Sequence, residues 1–399
     1  MVSTIIALVK LRCTFVPIDC ATPYDRARHI LIDSDARYII CHEKDTHLCN
    51  DFKLKAKILF VETLINASEP TCLQRVDTRL DDIMYIIYTS GTTGKPKGVP
   101  IRYAAIDHLL AVADHYFDFN SSDIWSLSHS MAFDFSVWEM WGALLHGAQL
   151  LLIPSSIRRD PVKFYHLIAE QQVTICNITP SAFKNFSRSN SEFQSPLNLR
   201  YLIFGGEKLL FSDVAAWLDR HGEENPSLIN MYGLTEAPIH ATYHRIQRSD
   251  QQKGNSIVGK PLMEMEVYVV DFFGNVVPPG VYGEIWLFSP FMTSGYLNSS
   301  ALNKEKFVDH VFFNVNKKVY KTGDYACWLP DGRLNFLGRI DQQVQLNGYR
   351  IELSEISHAL QQVSLVDNAV SIVCDDNRNQ KCIITFCVGK GIPRTLVCG

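Results

Sequence analysis

The sequence predicts an α/β protein with a large N-terminal α/β portion and a small α+β segment at its C-terminal end. Short apolar runs alternate with helical patterns through the first two-thirds of the chain, which is typical of largely parallel sheets. After about residue 255, strand-like runs are separated by tight turns such as "PPG" and "PDG". These turns favour an antiparallel or barrel-like segment.

The individual elements follow from these patterns. Helices are predicted at 106–117 and 136–146, and strands at apolar runs that end in Gly, Pro or polar residues: 85–89, 148–154, 173–179 and 199–206. The apolar start, "MVSTIIALVKLR", is interrupted by Lys10 and Arg12 and lacks a basic leading region. It therefore predicts a buried helix rather than a membrane span or a signal peptide.

The pattern changes once more after Asp341. The stretch "QQVQLNGYRIEL" is followed by a predicted helix, "SEISHALQQV", and by predicted strands at "NAVSIVC" and "CIITFCV". We therefore divide the chain into a large portion, roughly 1–340, and a small C-terminal lobe, 341–399.

Composition narrows the classes of protein. A hydrophobic content of 47% and a charged content of 20% fit a packed globular chain, and 399 residues predict two or three domains. The net charge of −4 gives no electrostatic case for a nucleic-acid or membrane partner. The 11 cysteines form no Cys-x-x-Cys motif and the 13 histidines show no zinc-ligand spacing. These features predict reduced, mostly buried cysteines in a cytoplasmic protein.

The stretch "YTSGTTGKPKG" (88–98) gathers small donors and two cations after a predicted strand. Its glycines let backbone N–H groups converge, its hydroxyls add donors, and Lys95 and Lys97 add positive charge, all of which suit a polyphosphate. A Walker A motif is excluded, because Pro96 occupies the fifth position after Gly91. From the residues alone, a solvated loop between a strand and a helix remains the alternative.

The longer string "IMYIIYTSGTTGKPKGV" closely resembles the phosphate loop of the adenylate-forming superfamily, in particular amino-acid adenylation domains of nonribosomal peptide synthetases. Six further stretches resemble other motifs of this family in the family's order. They are "LVKLRCTFVPIDCATPYDRARHILIDS", "FDFS" (133–136), "NMYGLTE" (230–236), "GEIWLFSPFMTSGYL", "YKTGDY" (320–325) and "GRIDQQVQLNGYRIELSEI" (338–356). The resemblance covers nearly the whole chain and implies a small distorted β-barrel after the parallel sheets and a C-terminal lobe that is truncated.

The resemblance implies a nucleotide site that binds ATP. In it, Tyr232 would stack on adenine, Asp324 would accept both ribose hydroxyls, and Arg339 would reach ribose or phosphate. Without the resemblance, Tyr232 would be explained as a core tyrosine, Asp324 as part of a turn, and Arg339 as a surface charge. The other implied nucleotide-binding residues are Thr89, Ser90, Gly91, Thr92, Thr93, Gly94, Lys95 and Gly206.

The implied catalytic residues are Thr235, Glu236 and Lys97. Thr235 would donate to the α-phosphate and the carboxylate of Glu236 would hold Mg²⁺, although a charge at a helix N-terminus is the structural alternative for Glu236. A carboxylate substrate would attack the α-phosphorus and pyrophosphate would leave. Catalysis would then consist mostly of positioning and charge neutralisation.

Asp134 is the implied discriminating residue for the substrate. Members of the family that activate amino acids carry Asp here, where a buried carboxylate can pair with the α-ammonium group. A helix N-cap is the structural alternative. The remaining pocket wall, aligned motif by motif, is Phe135, Trp138, Asn177, Ile203, Gly205, Met231, Ile239 and His240. This set resembles the family's signature for threonine, with serine second, because Asn177 and His240 are able to bind a hydroxyl.

The chain departs from the family at several positions. The first motif starts almost at Met1, and the chain stops at Gly399 before the family's "NGK" lysine motif is due; Lys390 lies too early to replace it. Gln345 and Asn347 stand where the family usually has Lys and Arg. These departures raise the alternative of a remnant that only binds nucleotide or carrier protein.

The resemblance implies ATP-dependent activation of L-threonine and its transfer to the phosphopantetheine of a peptidyl carrier protein. Asp341 would be the hinge between the two portions of the chain. The rival enzyme class is an acyl- or aryl-CoA ligase of the same superfamily, against which Asp134 argues. No nucleic-acid or membrane partner is expected.

Overall fold

A computed structural model of the chain describes most of the sequence. The described residues are 1–48, 56–66, 79–91, 95–193, 195–252, 256–340, 343–346, 349–375 and 381–389. Three residues of the predicted phosphate loop, Thr92, Thr93 and Gly94, lie outside these ranges, as do Asp341, Asn347 and Lys390. The division at residue 340 and the hinge at Asp341 therefore stay predictions.

The helices are α1 Val2–Lys10, α2 Tyr24–Asp33, α3 Val61–Asn66, α4 Tyr103–Ala113, α5 Phe135–Leu145, α6 Ser155–Arg158, α7 Pro161–Glu170, α8 Pro180–Phe193, α9 Phe211–His221, α10 Ser300–Lys306 and α11 Leu353–Gln361. Within the described part of the chain, no helix combines the length and the apolar character needed to cross a membrane.

The strands are β1 Tyr38–Cys41, β2 Lys57–Phe60, β3 Ile83–Thr89, β4 Lys97–Arg102, β5 Ile124–Leu127, β6 Gln149–Leu152, β7 Ile175–Ile178, β8 Tyr201–Phe204, β9 Ser227–Asn230, β10 Thr242–Arg245, β11 Ile257–Pro261, β12 Glu266–Val270, β13 Gly283–Phe288, β14 Phe307–Phe312, β15 Val315–Trp328, β16 Leu334–Arg339, β17 Gln343–Leu346, β18 Tyr349–Glu352, β19 Asn368–Asp375 and β20 Lys381–Val388.

One twelve-stranded sheet organises the large portion. Its order is β12-β13-β15-β16-β11-β10-β9-β8-β7-β5-β6, with β14 paired to β15. Strands β5 to β9 pair in parallel, and pairing is antiparallel from β10 onward. The predicted change from parallel to antiparallel architecture is thus confirmed. The described pairings give an open strand order and include no closure into a barrel.

The central parallel strands are buried. All four residues of β7 and of β9 are buried, as expected for parallel strands that lie between helices. Helix α7, which precedes β7 in the chain, begins with Pro161 at its first turn, and the Asp160 carboxylate accepts hydrogen bonds from two backbone N–H groups. These features define the start of α7.

The predicted strand before the glycine-rich stretch is confirmed as β3. It does not join the parallel sheet, however, since β3 and β4 form an antiparallel pair in which Thr89 lies opposite Lys97. The glycine-rich stretch is therefore the connection of a hairpin. On its other side, β3 is bridged to Phe15, which pairs in parallel with Tyr85.

Two predictions about burial are wrong. The first helix forms as α1, but Ile5 is its only buried residue, so the helix lies mostly at the surface. Of the eight cysteines in the described ranges, Cys176 and Cys327 are buried, whereas the others are half-buried or exposed. Apolar composition alone does not determine which elements cover a side chain.

The C-terminal segment has the predicted α+β character. It contains the β17–β18 hairpin, α11 and the β19–β20 hairpin. Helix α11 is linked to both strands of the second hairpin, because Ser357 Oγ lies 3.0 Å from Ser371 Oγ, which lies 2.9 Å from Thr385 Oγ1. An ion pair of 2.7 Å between Arg26 and Glu355 joins α2 to α11.

Candidate functional site

A crevice opens where β8 and β9 end and α5 begins, the edge at which α/β proteins place their ligands. Its empty volume is about 470 Å³, which includes space open to solvent. Its lining residues are Phe133, Asp134, Phe135, Gly205, Gly206, Met231, Gly233, Leu234, Thr235, Ile239, His240 and Gln345. The residues predicted for substrate discrimination and for phosphate contact, Asp134 and Thr235, thus share one cavity.

Asp134 occupies the N-cap position of α5, but its side chain makes no capping hydrogen bond. The side chain is buried, with 5% of its surface exposed. The positive end of the helix favours the ionised carboxylate at this position. Asp134 is therefore a buried carboxyl group at the crevice, and its side chain does not cap α5.

His240 forms part of the crevice wall and carries unused hydrogen-bonding capacity. Within the described residues, neither of its ring nitrogens has a hydrogen-bond partner. Its ring lies edge-on to Phe135 and Trp138, with centroids 5.4 and 5.0 Å apart. Burial lowers the pKa of His240 to about 3. At neutral pH the ring is therefore uncharged, with one nitrogen able to donate and the other able to accept.

Three predicted wall residues lie behind the crevice surface. Trp138, Asn177 and Ile203 are almost completely buried but do not line the cavity. Trp138 Nε1 donates to Asn177 Oδ1 at 3.0 Å, which fixes the indole against the His240 ring, while Asn177 Nδ2 has no partner in the described structure. Asn177 therefore acts on the pocket through Trp138 and not by direct lining.

Gly205 lies in close contact with another residue of the pocket wall. A Cβ atom at this position would lie 3.2 Å from two ring atoms of Phe135. The phenyl ring would have to shift by a few tenths of an ångström to admit a larger residue. The predicted Phe135, Gly205, Met231 and Ile239 all line the crevice.

Three predicted nucleotide-binding residues, Tyr232 for adenine and Asp324 and Arg339 for ribose or phosphate, form a hydrogen-bonded group. Tyr232 donates its hydroxyl to Asp324 Oδ2 at 2.6 Å, and Arg339 donates to Asp324 Oδ1 at 2.8 Å. Burial raises the pKa of Tyr232 well above its usual value, so the phenol stays a donor. The Tyr232 ring lies 5.7 Å from that of Phe336. These residues are brought together, but each oxygen of Asp324 already accepts from a protein donor.

Glu236 is fully buried, and its Oε1 accepts a 2.6 Å hydrogen bond from the Tyr296 hydroxyl. Lys97 Nζ lies 3.6 Å from the same oxygen, 3.2 Å from that hydroxyl and 4.4 Å from the Tyr296 ring centroid. The predicted catalytic pair is therefore held together by a third residue. Sequence reasoning missed Tyr296, although it lies in the quoted string "GEIWLFSPFMTSGYL".

The donor chemistry of this group fits a magnesium ion that arrives with a nucleotide. Mg²⁺ is usually held by one or two carboxylates together with phosphate oxygens, and Glu236 supplies one carboxylate. No cluster of three or more His, Cys, Asp or Glu side chains able to hold a metal occurs in the described part of the chain. A protein-only metal cage is thus not the expected arrangement.

The first residues of the predicted phosphate loop are buried and closely packed. Thr89, Ser90 and Gly91 are buried, and the Thr89 hydroxyl has no hydrogen-bond partner in the part of the chain that the structure describes. A Cβ atom on Gly91 would lie 2.1 Å from the Lys95 carbonyl oxygen, so only glycine fits this bend. Lys95 is exposed, whereas Lys97 is buried.

The C-terminal segment also reaches the site. Gln345, on β17, lines the crevice, and Glu355 accepts a hydrogen bond from the Gly91 backbone in addition to its ion pair with Arg26. The family's usual lysine is replaced by Gln345, a departure visible in the sequence. Phe133, another lining residue that was not predicted, lies directly before Asp134.

Comparisons with known proteins agree with the ordered motifs. The dimodular nonribosomal peptide synthase of Bacillus subtilis (strain 168) is 37% identical over 396 residues, which are 96% of this chain and 17% of that protein. Syringomycin synthase SyrB1 of Pseudomonas syringae pv. syringae is 36% identical over 367 residues, 90% of this chain and 58% of that protein. This chain thus spans less than two-thirds of either relative.

A solved structure has the same fold. It is holo-PA1221, described as an NRPS protein containing adenylation and PCP domains, and it matches with a TM-score of 0.85 and 26% identity over 98% of this chain and 66% of the other. The family model described as AMP-binding enzyme matches residues 1–297, well over half of the sequence. With the motifs and the crevice as described, the chain belongs to the family of AMP-binding, adenylate-forming enzymes.

Proposed function

We propose that this chain activates an amino acid with ATP. The substrate carboxylate attacks the α-phosphorus, the bond to the β-phosphate oxygen breaks, and aminoacyl-adenylate and pyrophosphate form. The observation that carries the proposal is the shared crevice of Asp134 and Thr235. A buried carboxylate there would bind the α-ammonium group, while Thr235 and the glycine-rich loop would lie toward the phosphates.

L-Threonine is the proposed substrate, with serine second. The neutral ring of His240 has an unpartnered nitrogen that would bind a side-chain hydroxyl, and the neighbouring Met231 and Ile239 would contact its methyl group. A buried polar group that gains a partner only from a hydroxylated substrate disfavours the methyl analogue. Valine and alanine should therefore be poor substrates.

ATP and Mg²⁺ are the proposed cofactors. Mg²⁺, when bound, would offset the charge of the triphosphate. Glu236 would be its protein ligand, and Lys97, 3.6 Å away, would keep this buried carboxylate ionised before the metal arrives. Asp324 would accept ribose hydroxyls in addition to its bonds from Tyr232 and Arg339, because a carboxylate has about four lone-pair sites.

The deciding experiment is amino-acid-dependent exchange of pyrophosphate into ATP, measured across the proteinogenic amino acids and a panel of fatty and aryl acids. Exchange that is highest with threonine and lower with serine supports the proposal. Exchange that depends on a fatty or aryl acid would instead favour the CoA-ligase reading. ATP binding without exchange for any acid would favour a remnant that only binds ligands.

A carrier protein is the proposed partner. The phosphopantetheine thiol would attack the aminoacyl carbonyl, form a thioester and release AMP. A neighbour of the same fold contains adenylation and PCP domains, which supports this assignment. The check is the mass of a holo carrier domain after incubation with the chain, threonine and ATP, with the apo carrier as control. The cytoplasmic location stays a prediction.

A further inference from the structure

The β19–β20 hairpin places two cysteines side by side. Cys374 and Cys382 are cross-strand partners in the antiparallel register, and their Sγ atoms lie 3.5 Å apart. We propose that these two thiols are a redox-active pair, which forms an intramolecular disulfide by exchange with a low-molecular-weight disulfide such as oxidised glutathione.

The backbone already meets the requirement for a disulfide. Residues directly opposite each other in an antiparallel pair have Cα atoms about 4.5–5.5 Å apart. Disulfides span Cα distances of about 4.4–6.8 Å, so the strands need not move. Closing the sulfur separation from 3.5 Å to about 2.05 Å requires only rotation of the side chains.

Both thiols are also accessible to a reagent. Cys374 and Cys382 are half-buried, in contrast with Cys176 and Cys327, which are buried. Cys387 offers an internal comparison, because it lies on β20 with similar burial but opposite Ala369. It has no thiol as its cross-strand partner.

The exchange balances in two steps. One thiol loses its proton, and its sulfur attacks oxidised glutathione to give a mixed disulfide and one glutathione thiolate. The second cysteine, likewise deprotonated, attacks the protein sulfur of the mixed disulfide and expels the second glutathione thiolate. The two protein thiols are oxidised, glutathione disulfide is reduced by two electrons, and the two protons pass to the departing thiolates.

The thiol pair is separate from the crevice, since neither cysteine is among the crevice-lining residues. The inference therefore does not rest on the proposed function. A disulfide would close a ring from residue 374 to 382 across the hairpin on which α11 packs, so its effect should be on the stability of this segment and not on the chemistry.

The test equilibrates the full chain in glutathione buffers of graded oxidised-to-reduced ratio, followed by alkylation, digestion and mass spectrometry. The expected result is a peptide pair linked through Cys374 and Cys382, about 2 Da lighter than the sum of the two reduced peptides. Cys374→Ser and Cys382→Ser should each abolish the link, and Cys387→Ser should leave it unchanged. Separate alkylation or glutathionylation of the two thiols in the most oxidising buffer would overturn the proposal, as would linkage to other cysteines.

A second readout is thermal unfolding. The oxidised chain should unfold a few degrees higher than the reduced chain, and Cys374→Ser should lose this difference. Equal melting temperatures for a chain that carries the disulfide would overturn the inferred effect on stability. Pyrophosphate exchange, measured on both forms, is expected to be equal. If exchange is absent from both, the proposed function fails while the disulfide result stands.

Discussion

Two parts of the candidate site treat buried polar groups in opposite ways. The group of Tyr232, Asp324 and Arg339, the proposed nucleotide end, does not line the crevice, whereas His240, at the proposed substrate end, does. At the nucleotide end, Asp324 accepts from Tyr232 and Arg339, so the protein satisfies its own charges. At the substrate end, both ring nitrogens of His240 and Nδ2 of Asn177 lack partners within the described residues. An unsatisfied buried polar group costs about 1–3 kcal/mol, whereas a satisfied group holds its geometry.

This difference in hydrogen bonding indicates how each end would respond to a ligand. At His240, which lines the crevice, the substrate end carries a stability cost that a hydroxylated ligand would relieve, whereas Asn177 lies behind the wall. The nucleotide end is preorganised by internal hydrogen bonds, so a ligand there would meet a carboxylate that is already held in position. Substitutions at the two ends should therefore have opposite effects on folding, even where both impair activity.

The largest effect is expected from Asp134→Asn. Loss of the carboxylate removes the partner of the substrate ammonium, and truncating one member of a buried charge pair costs about 3–5 kcal/mol. We expect amino-acid-dependent pyrophosphate exchange to fall by about 10²–10³-fold in kcat/KM. The matched control is Asp107→Asn on α4, an exposed carboxylate that should leave activity unchanged. Wild-type exchange in Asp134→Asn would contradict the assignment.

Asp324→Asn tests the nucleotide end. The substitution leaves the Arg339 guanidinium, whose side chain is 11% exposed, without its anion. We expect the free energy of unfolding to drop by about 2–3 kcal/mol and the KM for ATP to rise. Urea unfolding and exchange kinetics measure the two effects, with the exposed Asp309→Asn as control. Unchanged stability would show that the ion pair between Asp324 and Arg339 does not stabilise the fold.

His240→Leu tests the substrate end and should have the opposite effect on folding. Leucine fills similar volume without unpartnered nitrogens, so stability should be unchanged or rise by about 1 kcal/mol. Selectivity for threonine over valine should fall by about 10-fold or more. A clear loss of stability would mean that the His240 ring nitrogens have hydrogen-bond partners in solution. The two ends would then not differ in the way described.

The smallest effect concerns pH. His240 binds a proton near pH 6.5 in the unfolded chain but only near pH 3 in the folded protein. Between these values the unfolded state holds more protons, so stability falls as pH is lowered. At pH 5.5 the loss from this residue should be about 1 kcal/mol relative to pH 7. Unfolding of wild type and His240→Leu at both pH values measures it, since the variant should lack this part of the slope.

The sequence predicted the order of elements and most of the lining residues because both depend on local patterns. Strand β8 is an uninterrupted apolar run, and Asp134 and Thr235 lie inside short characteristic strings. Contacts between distant segments were not predictable in the same way. Tyr296 meets Glu236 from 60 positions away, and nothing near either residue indicates the pairing.

The pairing of Asp324 with Arg339 at the nucleotide end could not be predicted from the sequence either. Asp324 and Arg339 face each other because of the β15–β16 register, which shifts at an irregularity between Tyr325 and Ala326. Such a shift depends on the whole ladder. Burial of α1 was overestimated for a related reason, because a helix that is apolar on most sides does not reveal which neighbours cover it.

Six neighbouring strands of the large sheet, in the order β8-β9-β10-β11-β16-β15, are hydrogen-bonded without a break. This continuity has a mechanical consequence. His240 lies two residues before β10 and Asp324 lies on β15, so main-chain hydrogen bonds connect the neighbourhoods of the two residues through a single sheet. Sliding one of these strands past its neighbour would require several ladder bonds to break at once. The separation of the proposed amino-acid and ribose sites would therefore depend on strand register, and a slip of one residue between β15 and β16 would turn Asp324 to the opposite face.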